Sequence, residues 1–331
     1  MFGRTTHILS IDGGGIRGIV PAAVLSYIER VLRERDPSLH LYRLFDMIAG
    51  TSTGGLIALS LTTPCKEESD SRNGEPIASA QEIFEFYKSK GSFIFPPVRH
   101  NLSGKFKNAF NSKYNGKNLY YFIDKLFKQA TMDQLLTNVL VSSYDTENRE
   151  PFFFKHIAEG RHRNTSHEEN KNFFVRDIAR ATTAAPIFFP PAHIKPIPDS
   201  GKTYSLIDGG VFVNNPSLCA YIEALKQYPR TKRFIILSLG TGVVDRPYPY
   251  EEIKKWGYMD WMSLSKGMPL LDMMMDGQRD TADHLLDHLP NVEYYRLDFS
   301  LDDDHTNMDN ASQANITYLE DKAVQIIEQN T

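Results

Sequence analysis

The sequence predicts an α/β protein with a mostly parallel sheet. Two observations carry this. A strand, a glycine-rich turn and a helix follow one another twice within the first 61 residues, and short apolar runs then alternate with helical periods to the end of the chain.

The first unit opens with Thr6–Asp12 (THILSID), a partly buried strand. Gly13–Gly18 (GGGIRG) turns the chain, and Pro21–Arg35 carries Val24, Leu25, Ile28, Val31 and Leu32 at helical spacing. The second unit is the apolar strand Phe45–Ala49, the turn Gly50–Gly55 (GTSTGG) and a helix over Leu56–Leu61. Further strands are expected at Val139–Tyr144, Phe152–Lys155, Tyr204–Asp208, Phe234–Leu239 and Val292–Phe299. Helices are expected at Ala80–Lys90, Leu119–Gln129, Val175–Thr182, Ser217–Gln227, Leu270–His288 and Ser312–Gln329. Glu67–Ser79 and Gly160–Asn172 are polar and read as exposed loops. No repeat and no linker divides the chain, so one domain over 1–331 is expected.

Composition excludes several classes. Of 331 residues 41% are hydrophobic and 24% charged, ordinary for a protein with a sizeable core. A net charge of -4 offers no basic bias toward a nucleic acid polymer. Two cysteines, Cys65 and Cys219, allow one disulfide but no framework and no cysteine metal site. No run of about 18 apolar residues could span a bilayer. A secretory leader needs a longer apolar stretch than the residues before Asp12 provide, so a cytoplasmic location is expected.

Gly50-Thr51-Ser52-Thr53-Gly54 fits G-x-S-x-G, in which a serine sits on a strained strand-to-helix turn between small neighbours. The helix after it aims its N-terminal N–H groups at the reacting centre. The other reading is a glycine-rich phosphate loop. Gly13–Gly18 also fits G-x-G-x-x-G, but the acidic residue a dinucleotide site needs is Asp36, which follows a helix rather than ending a strand. The alternative is an oxyanion hole, whose N–H groups approach substrate where no Cβ intervenes. Arg17 adds a positive charge nearby, or is a salt-bridged or exposed arginine.

A serine nucleophile needs a base. His7, His100, His156, His162, His167, His193 and His284 lie in no motif that shapes a triad. Asp208, before Gly209 and Gly210, closes an apolar strand, where α/β sheets hold their sites. A free aspartate is a weak base at its pKa of about 3.9, so it would need a partly desolvated setting.

Asp12–Gly18 (DGGGIRG), Gly50–Gly55 (GTSTGG) and Asp208–Gly210 (DGG) together resemble the patatin-like phospholipase family, whose signatures are DGGGxRG, GTSTGG and DGG or DGA. ARATTAAPIFFPP (179–191), DGGVFVNNP (208–216), SLGTG (238–242) and MDNAS (308–312) extend the resemblance over nearly the whole chain, with a motif core at about 7–216. It implies a three-layer α/β/α sandwich. It implies Ser52 as nucleophile and Asp208 as proton acceptor, with Gly13, Gly14 and Gly15 as the oxyanion hole, helped by Arg17. Gly50, Gly54, Gly209 and Gly210 are its motif glycines, and it implies no metal and no cofactor. The expected activity is a phospholipase A-type acyl hydrolase working through an acyl-enzyme. An acyltransferase or thioesterase on the same dyad and a silent lipid- or nucleotide-binding module are the alternatives. Some bacterial proteins of this kind are anti-phage effectors switched on by cyclic nucleotides, which makes such an activator an expectation here. Asn214 and Asn215 read as turn-holding side chains, with substrate contact as the alternative.

Residues 86–123 hold seven Lys or Arg, Lys105 and Lys107 among them, interleaved with aromatics and no acid before Asp124. The stretch reads as a peripheral membrane contact or as a loop and a packed helix. Trp256, Trp261, Met262, Met268 and Met273–Met275 form a lid or acyl-chain wall, or pack in the core.

Overall fold

The computed structural model describes residues 4–66, 72–97, 112–158, 171–263 and 268–331. The first half of the chain forms β1 (Arg4–Ile11), α1 (Ile19–Arg35), β2 (Met47–Thr51), α2 (Thr53–Thr62), α3 (Ala80–Ile94), α4 (Lys117–Phe127), β3 (Asn138–Asp145) and β4 (Glu150–His156). Next come α5 (Val175–Thr182), β5 (Ala192–Ile194), β6 (Tyr204–Asp208), α6 (Ser217–Gln227), β7 (Thr231–Leu239) and β8 (Val243–Val244). The chain ends with α7 (Tyr250–Ile253), α8 (Tyr258–Trp261), α9 (Pro269–Asp287), β9 (Val292–Leu297), β10 (Ser300–Leu301) and α10 (Gln313–Gln329).

The main sheet runs β5-β6-β3-β2-β1-β7-β9, with β4 also on β3. From β9 to β3 every neighbour is parallel, while β4 and β6 are antiparallel to β3 and β5 to β6. Successive residues of a strand face opposite sides, so a sheet buried on both faces needs apolar residues at every position. The centres of β1 and β2 approach that demand, with Ser10 a buried polar exception. Leu9, Ile11 and Ile48 pack with Leu25, Leu41 and Leu319 from α1, the segment after it and α10. Ile8, Met47 and Ala49 pack with Ala220 and Ala224 of α6 on the other side. The result is the α/β/α sandwich.

One feature of the topology positions the site. β4 occupies one edge of β3 over Val139–Asp145, leaving a single edge for two more strands. β2 takes that edge up to the Thr51–Ser142 pair, and β6 takes it from the Ser143–Asp208 pair onward. β2 runs parallel to β3 and β6 antiparallel, so their C-terminal ends meet head to head. Ser52 follows the end of one, and Asp208 is the end of the other.

The expected elements recur, with Val175–Thr182, Tyr204–Asp208 and Ser217–Gln227 at the same bounds. The second helix begins at Thr53 rather than Leu56, because Ser52 caps it and both glycines enter its first turn. β5, α7 and α8 are too short to show a period in the sequence. Of the two polar segments, 67–71 and 160–170 lie outside the described residues, while 72–79 is a turn-rich segment that is not wholly exposed, since Pro76 and Ala78 are buried. Cys65 and Cys219 form no disulfide. Among the described residues no helix is long and apolar enough to cross a membrane.

Candidate active site

Ser52 stands between β2 and α2 at φ 54° and ψ -119°, in a region a side chain occupies only under constraint. The constraint comes from three sides. Thr182 at the end of α5 accepts the Ser52 N–H through Oγ1 at 2.9 Å, and Leu56 donates to the Ser52 carbonyl at 3.0 Å. The preceding Thr51 hydroxyl shares a 2.7 Å bond with Ser142 and bonds the Val213 carbonyl at 2.9 Å. Glycine is obligatory on both flanks: a Cβ on Gly50 would stand 2.2 Å from the Gly54 carbonyl oxygen, and one on Gly54 would stand 2.1 Å from that of Ile11. The turn is thus pressed against the end of β1, where the glycine-rich loop starts.

Asp208 is 4% exposed, its carboxylate accepts the Gly210 N–H at 2.8 Å, and Ser52 lines the same cavity beside it. Burial pushes its pKa up to about 7, against the opposite pull of the Ser52 hydroxyl and the Gly210 N–H, which favour the charged form. Gly209 lies against Ser142, 2.2 Å from where its Cβ would be, whereas a Cβ on Gly210 would meet nothing nearer than 3.2 Å. Those spacings account for a motif that reads DGG or DGA.

The glycine-rich loop divides its work. The Gly13 N–H is engaged by the Asn214 carbonyl at 3.2 Å. The Gly13 carbonyl accepts from Thr241 Oγ1 at 2.6 Å and Asn214 Nδ2 at 3.4 Å. The Gly14 carbonyl accepts from the Arg17 N–H at 3.2 Å and Arg17 Nε at 3.4 Å. In a trans peptide the next N–H points opposite to the carbonyl, so these bonds aim the Gly14 and Gly15 N–H groups the other way. Both glycines line the cavity that holds Ser52 and Asp208, and neither N–H meets a protein acceptor among the described residues. Arg17 itself is buried at 5% exposure and does not line that cavity. Burial lowers its pKa, while Asp272, Asp298 and Asp276 oppose the shift. It acts on the loop's shape, through the Gly14 carbonyl.

Behind the loop, Arg296 of β9 forks onto Asp12, Nη1 to Oδ1 at 3.0 Å and Nη2 to Oδ2 at 2.6 Å. It also donates to Ser238 at 2.8 Å and to Asp298 at 2.6 Å. Burial raises the Asp12 pKa to about 6 in spite of this partner.

The cavity measures about 220 Å³. Gly14, Gly15, Ser52, Asp208, Gly210 and Asn214 form its polar end, Thr53, Thr183 and Asp309 also line it, and the other walls are mostly apolar, with Leu56, Phe86, Phe95, Leu119 and Phe189 among them. Met262, Met268, Leu271 and Met275 complete it, so the methionine-rich segment lines the cavity. Among the described residues no histidine lines it. His156 sits on β4 with its Nε2 unbonded, and burial lowers its pKa to about 4. His100, His162 and His167 lie outside the described residues, as do Lys105 and Lys107. From the rest of the basic stretch, Lys88 pairs with Glu320 and Lys113 with Asp309, while Ile94 and Tyr114 are buried.

Sequence reasoning passed over Thr182, Thr241 and Arg296. Each is a lone polar residue whose role depends on contacts across more than 100 positions of chain. Thr241 lies within the SLGTG segment (238–242), and that segment was the one signal for it.

The site thus sets a strained serine at a strand–helix turn and a buried aspartate at the polar end of one cavity in an α/β protein. The family model for Patatin-like phospholipase matches residues 9–220. Patatin-like protein 3 of Arabidopsis thaliana is 35% identical over 306 residues, covering 86% of this chain and 70% of its own. Patatin-like protein 2 of Oryza sativa subsp. indica is 32% identical, over 85% and 72%. Patatin-04/09 of Solanum tuberosum is 33% identical, over 94% and 81%. The chain belongs to the patatin-like phospholipase family, and membership points to lipid acyl hydrolase activity.

Proposed function

We propose that this protein is a phospholipase A-type acyl hydrolase working through a Ser52–Asp208 dyad and an acyl-enzyme. The observation that carries the reading is the strained Ser52 at the polar end of one cavity with a buried Asp208, whose pKa burial pushes up to about 7. A base poised near neutrality can take a hydroxyl proton and return it.

In the cycle, Asp208 accepts the Ser52 proton as Oγ attacks the ester carbonyl carbon. The resulting oxyanion accepts hydrogen bonds from the Gly14 and Gly15 N–H groups, with the N-terminus of α2 adding its positive end. Collapse expels the lysophospholipid or alcohol, protonated by Asp208. Water then attacks the acyl carbon and gives a proton to Asp208, and the returning Ser52 hydroxyl leaves a free fatty acid. The apolar walls of the cavity suit an acyl chain.

Fatty-acid release from phosphatidylcholine, phosphatidylglycerol and lysophospholipid vesicles tests the reading. Wild type should release acid from at least one, and Ser52→Ala from none. Equal release by both proteins would refute the nucleophile, and binding without release by wild type would favour a silent lipid-binding module.

The loop geometry makes a separate prediction. Thr241→Val keeps the shape but removes the bond that orients the Gly13–Gly14 peptide. An interaction felt only in the transition state shows in kcat, so kcat should fall about tenfold with KM nearly unchanged. Steady-state kinetics on a soluble ester would read this, and a change confined to KM would contradict it.

A further inference from the structure

We propose that Tyr258, Met259, Met262, Leu270 and Met274, with Ile187 at the same cavity mouth, form a surface that docks on a zwitterionic lipid bilayer. The inference rests on the hydrolase reading and deepens it by naming the aggregate that presents the substrate.

Three observations carry it. The first is exposure: Tyr258 and Met259 are 78% and 77% exposed, and the other four are each above 40%. Large apolar side chains scattered singly need no explanation, but a cluster does. On α9 the apolar residues take two faces. Leu271 and Met275 line the Ser52 cavity, while Leu270 and Met274, one position before each, face solvent. A helix on a protein surface needs one apolar face, and here a second is left about half exposed.

The second observation is continuity. Met262 and Ile187 are exposed and also line the cavity, so apolar side chains reach from the surrounding surface into the wall of the Ser52 cavity. Ile187 is held at φ 75°, which a β-branched residue adopts only where its surroundings force it. An acyl chain leaving a bilayer along this path never crosses water. Methionine suits the task because its unbranched thioether adapts to a fluid surface, and tyrosine favours the headgroup level.

The third observation is charge. Residues 245–276 carry six acidic against four basic side chains. That balance gives no attraction to anionic headgroups, so apolar insertion into a neutral surface is the mode left.

Vesicle flotation of the full chain tests this, with Met259→Ser/Met274→Ser and, separately, Tyr258→Ser/Leu270→Ser. None of these four residues lines the Ser52 cavity. Wild type should float with phosphatidylcholine vesicles equally at low and high salt. Each double variant should lose about tenfold or more in binding while its p-nitrophenyl butyrate hydrolysis and melting temperature hold. Unchanged vesicle binding by both variants would overturn the proposal. So would wild-type binding restricted to phosphatidylglycerol and abolished by salt, or a wild-type dimer that the variants dissociate, which would assign the face to a second copy. Wild type that floats as expected but hydrolyses neither lipid nor butyrate would sustain the docking surface and overturn the hydrolase reading.

Discussion

Asp208→Asn should lose about 10²–10⁴-fold in kcat, the usual range for removing a general base. It should at the same time become more stable at pH 8. Both effects follow from the burial that holds Asp208 at a pKa of about 7, far above its ordinary 3.8. Catalysis needs the ionised form, so the wild-type rate should rise with pH through about 7 and fall about tenfold per unit below it. Stability runs the other way. Between the unfolded and folded pKa values the native state binds more protons than the unfolded one, so the ionised carboxylate weakens the fold as pH rises through that window. A shift of about three units corresponds to a penalty on the order of 4 kcal/mol above neutrality, absent below about pH 4. Asparagine keeps an oxygen for the Gly210 N–H and carries no charge. Its melting temperature should therefore exceed that of wild type at pH 8 and approach it at pH 4 to 5. An Asn variant that is inactive and equally destabilised at all pH values would mean that the carboxylate holds the fold rather than the proton.

Arg296→Met should be the most damaging substitution outside the cavity. It strands Asp12, 1% exposed, whose ion-pair partner among the described residues is Arg296. Breaking one side of a buried pair costs about 3–5 kcal/mol, much more than the intact pair contributes. Asp12 is already at a pKa of about 6 beside its arginine. Without Arg296 that value rises further, so the stranded charge weakens the fold above it and is neutralised as pH falls. Denaturant unfolding should accordingly show a large loss at pH 8 and a smaller one at pH 5. Adding Asp12→Asn should recover part of the pH 8 loss, since the most deeply buried of the stranded carboxylates is then neutral, while Asp298 has still lost its partner. A loss independent of pH would point to packing alone. Activity should fall along with stability, because Asp12 anchors the loop whose glycines line the cavity.

The two strand–turn–helix units were legible because their signals are local. Apolar runs of the right length end in glycines that a tight turn requires, and the periods change from two to three or four just after. Ser52 and Asp208 stood out for the same reason, each next to glycines at a strand end. What brings them together was not legible, because β2 and β6 share one edge of β3 through pairings 91 and 65 positions apart in sequence. Nor did the glycine-rich loop show which of its N–H groups stay open. Gly13, Gly14 and Gly15 look alike in sequence, and only the partners of their neighbouring carbonyls separate them. The methionine-rich segment was ambiguous between core and cavity wall, since thioethers serve both and residues 250–262 have no sustained period.

The most direct test of the Ser52–Asp208 dyad is labelling with a fluorophosphonate, which phosphonylates an activated serine, followed by mass spectrometry of the peptide that carries the adduct. The predicted result is a single adduct on Ser52, absent from Ser52→Ala and slowed in Asp208→Asn, with a rate in wild type that rises through about pH 7. An adduct on another serine, or labelling that persists in Ser52→Ala, would contradict the dyad.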